Sequence, residues 1–233
     1  MSDLRGMRSG PRPGWSRAVR AGIATSVSLL AGSMVPSVVM AQTLHLGAGF
    51  SRATHNEVAA AQRQKGFGAV GTARYDAGRW DLEAEGAWRS LGPAADESQP
   101  SLTVLAAAVR GHYTVWRELD VEVGVERRTV DPELAAQDVG VVLTGLRYEN
   151  DLGGLASLWI RGAAIPLARF NGGGSAGVGL AVGFGVRASP FGPAWNVTAA
   201  YDFQRLDRTV QDIDVPVQQE SLRVGVEYAL FGR

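Results

Sequence analysis

The sequence contains no cysteine and only three histidines among its 233 residues. A chain without cysteine forms no stray disulfides in an oxidising compartment, although chance explains such an absence equally well. No zinc-ligand spacing, phosphate-binding loop or supported carboxylate pair appears either. We therefore expect no catalytic residue, no cofactor and no metal ion. Hydrophobic residues make up 45% of the chain, which is too low for a helical membrane protein.

Only one long uncharged apolar segment is present, and it lies near the N-terminus. Arginines are frequent before residue 21, whereas residues 21–40 carry no charge. Val39 and Ala41 then supply small residues at the −3 and −1 positions of a cleavage site. This order predicts a secretory signal peptide over residues 1–41, with Met7 as an alternative start. A retained transmembrane anchor is the alternative, although glycine and proline within the segment weaken it.

Cleavage after Ala41 would leave a mature domain of residues 42–233. It would remove five of the 23 basic residues and one of the 23 acidic ones, so the mature net charge would be −4. Nothing in this balance indicates nucleic-acid binding.

The mature chain lacks any further apolar run long enough to span a membrane as a helix, and it alternates with period two instead. On residues 80–89, for example, Trp80, Leu82 and Trp88 share one face, whereas acidic side chains occupy the other. Segments of this kind predict strands at 43–50, 66–75, 80–89, 101–115, 119–128, 139–149, 155–165, 176–188, 195–205 and 219–231. Most have the roughly 9–11 residues that a tilted strand needs to cross a bilayer.

The connections between these segments alternate in length. Short ones are predicted at 76–79, 116–118, 150–154 and 189–194, and longer ones at 51–65, 90–100, 129–138, 166–175 and 206–218. This alternation is typical of the periplasmic turns and external loops of outer-membrane barrels. The prediction is an all-β fold: one antiparallel up-and-down transmembrane β-barrel of about ten strands, with eight or twelve as alternatives.

The faces of the strands favour a membrane barrel over a soluble one. Aromatic residues on the apolar face gather near the strand ends, as interfacial girdles do: Tyr75, Trp80, Trp88, Tyr113, Trp116, Tyr148, Trp195, Phe203, Tyr228 and Phe231. The other face carries more charge than a dry core can hold: Arg74, Asp81, Glu83, Glu85, Arg110, His112, Asp120, Glu122, Glu126, Arg147, Arg161, Arg187, Arg223 and Glu227. We expect these charges to line a polar lumen and to pair there.

The last segment resembles the C-terminal β-signal of bacterial outer-membrane β-barrel proteins. It has a polar residue at Arg223, glycine at Gly225, an aromatic at Tyr228 and a hydrophobic residue at Leu230. One departure is that Phe231 is followed by two further residues. The resemblance covers residues 42–233 in architecture. It implies outer-membrane localisation, contact with membrane lipid, and recognition by the barrel assembly machinery.

The turns also set a provisional register. Arg74 is predicted to face Asp81, and His112 to face Glu122, with Arg110 diagonal to Glu122. Trp159 is expected to point inward over Gly183. Inward glycines at positions 177, 179, 183 and 185 leave space along one wall.

The expected function is a structural or surface-interaction role without catalysis, with the lumen largely obstructed by ion pairs and the surface partner unknown. A narrow pore or carrier for small solutes is the alternative. Ten strands is also the size of the omptin proteases, but only His55 is predicted on the external side. A lipid A-modifying enzyme would need a serine beside that histidine, and Ser51 and Ser90 are the only candidates.

Overall fold

The computed structural model describes residues 42–57, 62–94, 100–132 and 138–231, and every regular element within these ranges is a β-strand. The strands in chain order are β1 (Thr43–Glu57), β2 (Gln62–Asp76), β3 (Trp80–Pro93), β4 (Leu102–Trp116), β5 (Leu119–Asp131), β6 (Val139–Asp151), β7 (Ala156–Phe170), β8 (Ser175–Ala176), β9 (Gly179–Ala188), β10 (Trp195–Leu206), β11 (Arg208–Val210), β12 (Ile213–Asp214) and β13 (Val217–Phe231). The predicted signal peptide lies outside the described residues. In the described part of the chain, no helix is long and apolar enough to cross a membrane.

Ten of these strands form a closed antiparallel barrel. The barrel strands are β1 to β7, β9, β10 and β13; each pairs with the next along the chain, and β13 pairs with β1 to close the ring. The segment that resembles a β-signal therefore lies on the closing strand. Strands β8, β11 and β12 form a separate small sheet from the connections before β9 and before β13. The predicted ten-stranded up-and-down barrel is confirmed.

The two ends of the barrel differ in their connections. Residues 77–79, 117–118, 152–155 and 189–194 join strands at what we call the short-turn end, where β1 begins and β13 ends. The opposite, long-loop end carries the remaining connections. There the strands run further than predicted: β1 continues to Glu57 and β2 begins at Gln62, so most of the predicted loop 51–65 is strand. The outward side chains of β1 are polar from Arg52 onward, so the alternation of apolar and polar residues that predicts a strand stops there. The hydrogen-bonded pairing of β1 with β2 nevertheless continues.

The outer surface of the barrel is apolar and continuous around the strands. The outward positions of β5 illustrate it, since Val123 and Val125 are 55% and 52% exposed. Near the short-turn end, Trp80 stacks on Tyr113 with ring centroids 4.6 Å apart, and Trp195 stacks on Tyr228 at 4.7 Å. Tyr75, Trp116 and Tyr148 are also exposed at this end, and Trp88 and Phe203 lie toward the long-loop end. The side chain of Phe231 lies outside the description.

A bulge between β6 and β7 changes which side chains of β7 point inward. The pairing steps from Val142 with Leu167 to Thr144 with Ala164, so that Pro166 falls in the irregularity. Proline has no N–H for the ladder and is tolerated at such bulges. Ile165 and Phe170 are both buried as a result, which places the Phe170 ring inside the long-loop end.

The interior is divided into two layers along the barrel axis. Toward the short-turn end and the centre, buried charged side chains fill the lumen. Toward the long-loop end, most inward positions are apolar, although His55 and Gln64 are also buried there. The apolar residues form two clusters: Val139, Val141, Leu143, Ala163, Ile165, Phe170, Ala181, Leu206 and Val217 in one, and Ala53, Leu91, Leu102, Val104 and Val130 in the other. The sequence analysis predicted a polar lumen and did not predict this apolar layer, which arises because several strands carry apolar residues on both faces there.

Candidate functional site: the barrel lumen

The central feature of the lumen is a chain of ion pairs that runs across five strands. Arg161 on β7 reaches Glu122 on β5 at 3.0 Å and Asp202 on β10 at 2.7 Å. Asp202 also accepts from Arg223 on β13 at 2.5 Å. Arg223 in turn pairs with Glu85 on β3. The chain thus joins strands on opposite sides of the barrel through side chains that are largely shielded from solvent.

Further arginines attach to this chain from β3 and β4. Arg110 lies 3.6 Å from Glu83 and 3.8 Å from Glu85. Its aliphatic stem crosses Gly124 on β5, where an added Cβ would lie 3.1 Å from the Arg110 Cγ. Arg89 lies 3.9 Å from Glu85 and donates from Nε to the Ser51 hydroxyl at 3.2 Å. Each of these carboxylates therefore meets at least one guanidinium, which offsets the cost of burying it.

His112 lies between two carboxylates on the short-turn side of the chain of ion pairs. Its Nδ1 lies 3.3 Å from Asp81 and its Nε2 lies 3.2 Å from Glu122. Arg74 joins the same group, with its Nη1 3.6 Å from Asp81. The predicted pairing of His112 with Glu122 is present. Arg74 meets Asp81 as expected, but diagonally, since its direct partner in register is Glu83.

A second group of ion pairs lines the wall formed by β6, β7 and β9. Arg147 pairs with Glu149 at 2.6 Å, and Arg187 bridges Glu149 and Glu227 at 3.2 Å each. The Arg147 guanidinium also lies over the Trp159 ring, 5.4 Å from its centroid. Trp159 points inward as predicted, but the prediction of its glycine partner is wrong. Its partner in register is Gly185, whereas Gly183 faces Arg161 and Asp202.

A third group lies between the central chain and the apolar layer. Arg128 is fully buried and donates to Glu126 at 3.1 Å and to the Gln204 side chain at 2.7 Å. Gln204 donates back to Glu126 at 3.3 Å. These side chains span from β5 to β10 directly beneath the apolar clusters. The predicted lumen residue Asp120 lies opposite Arg147 in the β5–β6 register.

Several residues of these groups were not among the predicted lumen charges. Arg89, Arg128, Glu149, Asp202 and Gln204 all belong to these groups. All of them occupy the inward parity of their strands, so the alternation could have found them. Arg128 is the last residue of the predicted strand 119–128, and no partner was predicted for it. No partner was predicted for Asp202 either, and one of its partners, Arg161, lies on a strand that does not pair with β10.

Two cavities lie inside the lumen, one on each side of the central chain. The cavity on the short-turn side is lined by Arg74, Glu83, His112 and Trp159, among others. The other is lined by Glu85, Arg89, Glu126 and Gln204. Arg110 and Arg161 line both cavities, so these two guanidiniums stand at the boundary between them.

The serine–histidine arrangements considered from the sequence do not form. Ser51 and His55 are both buried on the inward face of β1, but they are four positions apart on the strand, about 13 Å along the chain. Ser90 is exposed on the outer face of β3, on the other side of the wall. Within the described residues, no group of metal-binding side chains is placed to hold an ion.

Comparison with known proteins finds similarity in backbone only. No protein-family model matches the sequence, and no curated protein matches it significantly. Similar solved structures include Neisserial surface protein A, which is 15% identical, with 79% of this chain and 96% of that one covered and a TM-score of 0.39. The translocator domain of the autotransporter NalP from Neisseria meningitidis is 16% identical, covering 90% and 94%, with a TM-score of 0.44. An outer-membrane channel from Pseudomonas putida F1 is 10% identical, covering 85% and 100%, with a TM-score of 0.45.

The assignment of this fold as a transmembrane barrel depends on features of the barrel itself. The ring of strands is closed, so that it leaves no unpaired edge. Its outer surface is apolar between aromatic residues, and its charged side chains point inward. These features confirm the prediction of a transmembrane β-barrel of the outer-membrane kind.

Proposed function

We propose that this protein is an outer-membrane barrel with an obstructed lumen, which has a structural or surface-interaction role and does not conduct solutes freely. The observation that carries the proposal is the chain of ion pairs from Glu122 through Arg161, Asp202 and Arg223 to Glu85. A barrel of about eight strands leaves an interior that side chains fill, whereas sixteen to eighteen leave an aqueous channel. Ten strands with long inward arginines lie near the filled limit.

The apolar layer supports the same proposal independently. A hydrated ion that passed the charged region would next meet Leu102, Leu143 and Ile165, which are buried and offer no hydrogen bonds. Moving an ion through such a layer carries a large desolvation cost. The lumen therefore has two different barriers in series.

Conductance through planar lipid bilayers tests this function. We expect purified full-length protein to give at most small, ion-sized conductance. A variant with Leu102→Ser, Leu143→Ser, Arg161→Ser and Asp202→Ser removes parts of both barriers without changing the net charge, and should conduct more. Large, steady, weakly selective single-channel steps from the unmodified protein would overturn the proposal.

A narrow pore for small solutes is the second candidate, and the two lumen cavities favour it. They approach each other at Arg110 and Arg161, so a modest movement of two side chains would connect them. If this candidate holds, Arg161→Ser with Asp202→Ser alone should raise conductance while the apolar layer stays intact. No change in that variant would count against it.

We also propose that the protein has no catalytic activity. A histidine and an aspartate do lie within hydrogen-bond distance at His112, but both nitrogens of this ring face carboxylates. No ring nitrogen is left to act on a substrate proton, so the group supports a structural role. Cleavage of peptide or acyl-lipid substrates by the purified barrel, lost on His112→Gln, would contradict this proposal.

Outer-membrane localisation is the setting that the apolar exterior and the signal-peptide-like leader support. The charged interior and the closed ring suit insertion by the barrel assembly machinery. We expect the protein to migrate with outer-membrane fractions and to show heat-modifiable mobility in gels. Recovery as a soluble periplasmic protein, without detergent, would contradict it.

A further inference from the structure

Basic side chains are the commonest outward residues just beyond the apolar band at the long-loop end. We call this set the outer cationic belt, and it comprises the following residues: Arg52, Lys65, Arg127, Arg169 and Arg205. They lie on β1, β2, β5, β7 and β10, so the belt extends around much of the barrel. The first outward polar residue of β13 is acidic, namely Glu220.

The belt is densest on the paired strands β1 and β2. Arg52 lies directly opposite Phe67, and Lys65 lies opposite Thr54. Arg63 is the next outward residue of β2 beyond Lys65. All three basic side chains are exposed. Glu220 on β13 is the nearest outward acid by register, because it lies opposite Thr54 on the other side.

These three cations differ from the arginines inside the barrel. Inside, Arg161, Arg187 and Arg223 each pair with carboxylates. Within the described ranges, Arg52, Arg63 and Lys65 form no such ion pair. Elsewhere in the belt, Arg127 pairs with Asp138 and Arg205 with Asp207.

Among the residues that the structure describes, the short-turn end lacks a comparable set. Its turns carry Arg79 and Arg117, but also Glu118 and Asp151. Arg79 lies over Tyr113 and Arg117 over Trp116, at 5.3 and 5.6 Å from the ring centroids. Within the described ranges, the excess of positive charge on the outer surface therefore belongs to the long-loop rim.

The height of the belt matches the level of lipid headgroups. Phe50 and Phe67 are 80% and 70% exposed and mark the upper edge of the apolar band. One outward step along a strand tilted by about 40° rises about 5 Å along the barrel axis. Arg52 and Lys65 lie one such step beyond these rings, where phosphate groups would meet them from the side.

We infer that the β1–β2 part of the outer cationic belt binds the phosphate groups of a phosphorylated glycolipid in the outer leaflet. Guanidinium and ammonium groups form strong charge-assisted bonds with phosphate, and basic residues beside a membrane attract anionic headgroups. The position beside exposed phenylalanines favours a lipid over a soluble polyanion, which would not contact the rings. This inference rests on the proposed outer-membrane location.

Binding of lipid A provides the test. Full-length protein in phosphatidylcholine nanodiscs would be titrated with bisphosphorylated lipid A and, in parallel, with dephosphorylated lipid A. The test variant combines Arg52→Gln, Arg63→Gln and Lys65→Gln. The matched control, Arg79→Gln with Arg117→Gln, removes exposed cations from the opposite rim. Heat-modifiable mobility in phosphate-free lipid establishes that each variant has folded into the bilayer.

We expect the unmodified protein and the control to prefer the phosphorylated lipid by about tenfold or more, and the test variant to lose most of that preference. No preference, or an equal loss in both variants, would overturn the inference. Tighter binding to soluble heparin than to lipid A, lost in the test variant, would overturn it in favour of a polyanion. Failure to insert into nanodiscs at all would instead refute the proposed membrane location.

Discussion

Trp159 lies flat over Gly185, its partner on the adjacent strand inside the barrel. A Cβ built on Gly185 would come within 2.6 and 2.7 Å of two carbons of the indole ring. Only a residue without a side chain leaves room for the indole at this position, and an aromatic ring over a strand glycine is a known means of holding register. The contact therefore ties β7 to β9 on the wall that carries the second group of ion pairs.

This contact predicts that Gly185→Val destabilises the barrel. The new side chain would displace Trp159, at an expected cost of about 1–3 kcal/mol for overpacking. Urea unfolding in lipid vesicles measures the change. Gly86→Val is the matched control, because a Cβ at Gly86 meets nothing within 4 Å, and we expect little loss there. Equal loss in the two variants would contradict the assigned contact.

Asp202 is predicted to be the most sensitive carboxylate of the lumen. Two largely shielded arginines, Arg161 and Arg223, donate to it, so Asp202→Ala would leave both without this partner. Breaking a buried ion pair by removing one partner costs about 3–5 kcal/mol. Asp207→Ala is the control, since its pair with Arg205 is about half exposed and is worth about 0–1 kcal/mol. Similar unfolding free energies for the two variants would argue against a stabilising role of the chain of ion pairs.

The outward assignment of β5 predicts a strong effect of depth in the membrane. Val123→Arg places a charge near mid-strand on the lipid face, and should cost about 2–4 kcal/mol. Ser90→Arg on β3 lies outward just beyond Trp88, near the interface, and should cost about 0–1 kcal/mol. Unfolding in vesicles compares them. A larger cost at Ser90 would contradict the depths assigned to these two outward positions.

The leader predicts the N-terminus of the mature protein. Cleavage after Ala41 would expose Gln42 as the first residue. Intact-mass spectrometry of protein purified from the outer membrane of its producing cells should give the mass of residues 42–233. A mass that includes residues 1–41 would show that the leader is retained.

Arg208 is predicted to hold the glycine-rich connection before β9. It donates to the carbonyl oxygens of Gly172 and Gly173 and lies over the Phe170 ring, 5.1 Å from its centroid. Arg208→Ala should therefore increase proteolytic cleavage within residues 171–178. Limited proteolysis of folded protein in nanodiscs measures this, with Arg205→Ala as the control. Unchanged cleavage in Arg208→Ala would show that the loop is held by other contacts.

The barrel, and which side chains of its strands face lipid, could be predicted from the sequence. The alternation of apolar and polar residues along a strand directly indicates which side chains contact lipid. The pairing of His112 with Glu122 was also within reach, since the tight turn between β4 and β5 sets their register. Contacts across the lumen could not be predicted in this way. Arg161 meets Asp202 across the intervening strand β9, and Arg223 meets Glu85 across the lumen, and no local pattern encodes which inward charges converge.

The apolar layer was missed for a related reason. Val139, Val141 and Leu143 lie on the inward parity of β6, next to outward residues that are also apolar or small. An apolar residue on both faces carries no information about direction. The glycine partner of Trp159 was misplaced by one inward position, because the long connection between β7 and β9, residues 171–178, does not transmit register as a tight turn does.

The apolar layer beneath the long loops also has a consequence for how the surface of this protein can change. Apolar side chains pack together inside the strand ends, among them Leu91, Leu102, Val139 and Leu206. The strand ends are therefore stabilised without contacts from most of the connections above. Sequence drift or insertion in those connections then leaves the cost of assembly nearly unchanged. The packing inside the strand ends therefore separates the stability of the barrel from the sequence of most of the connections above it.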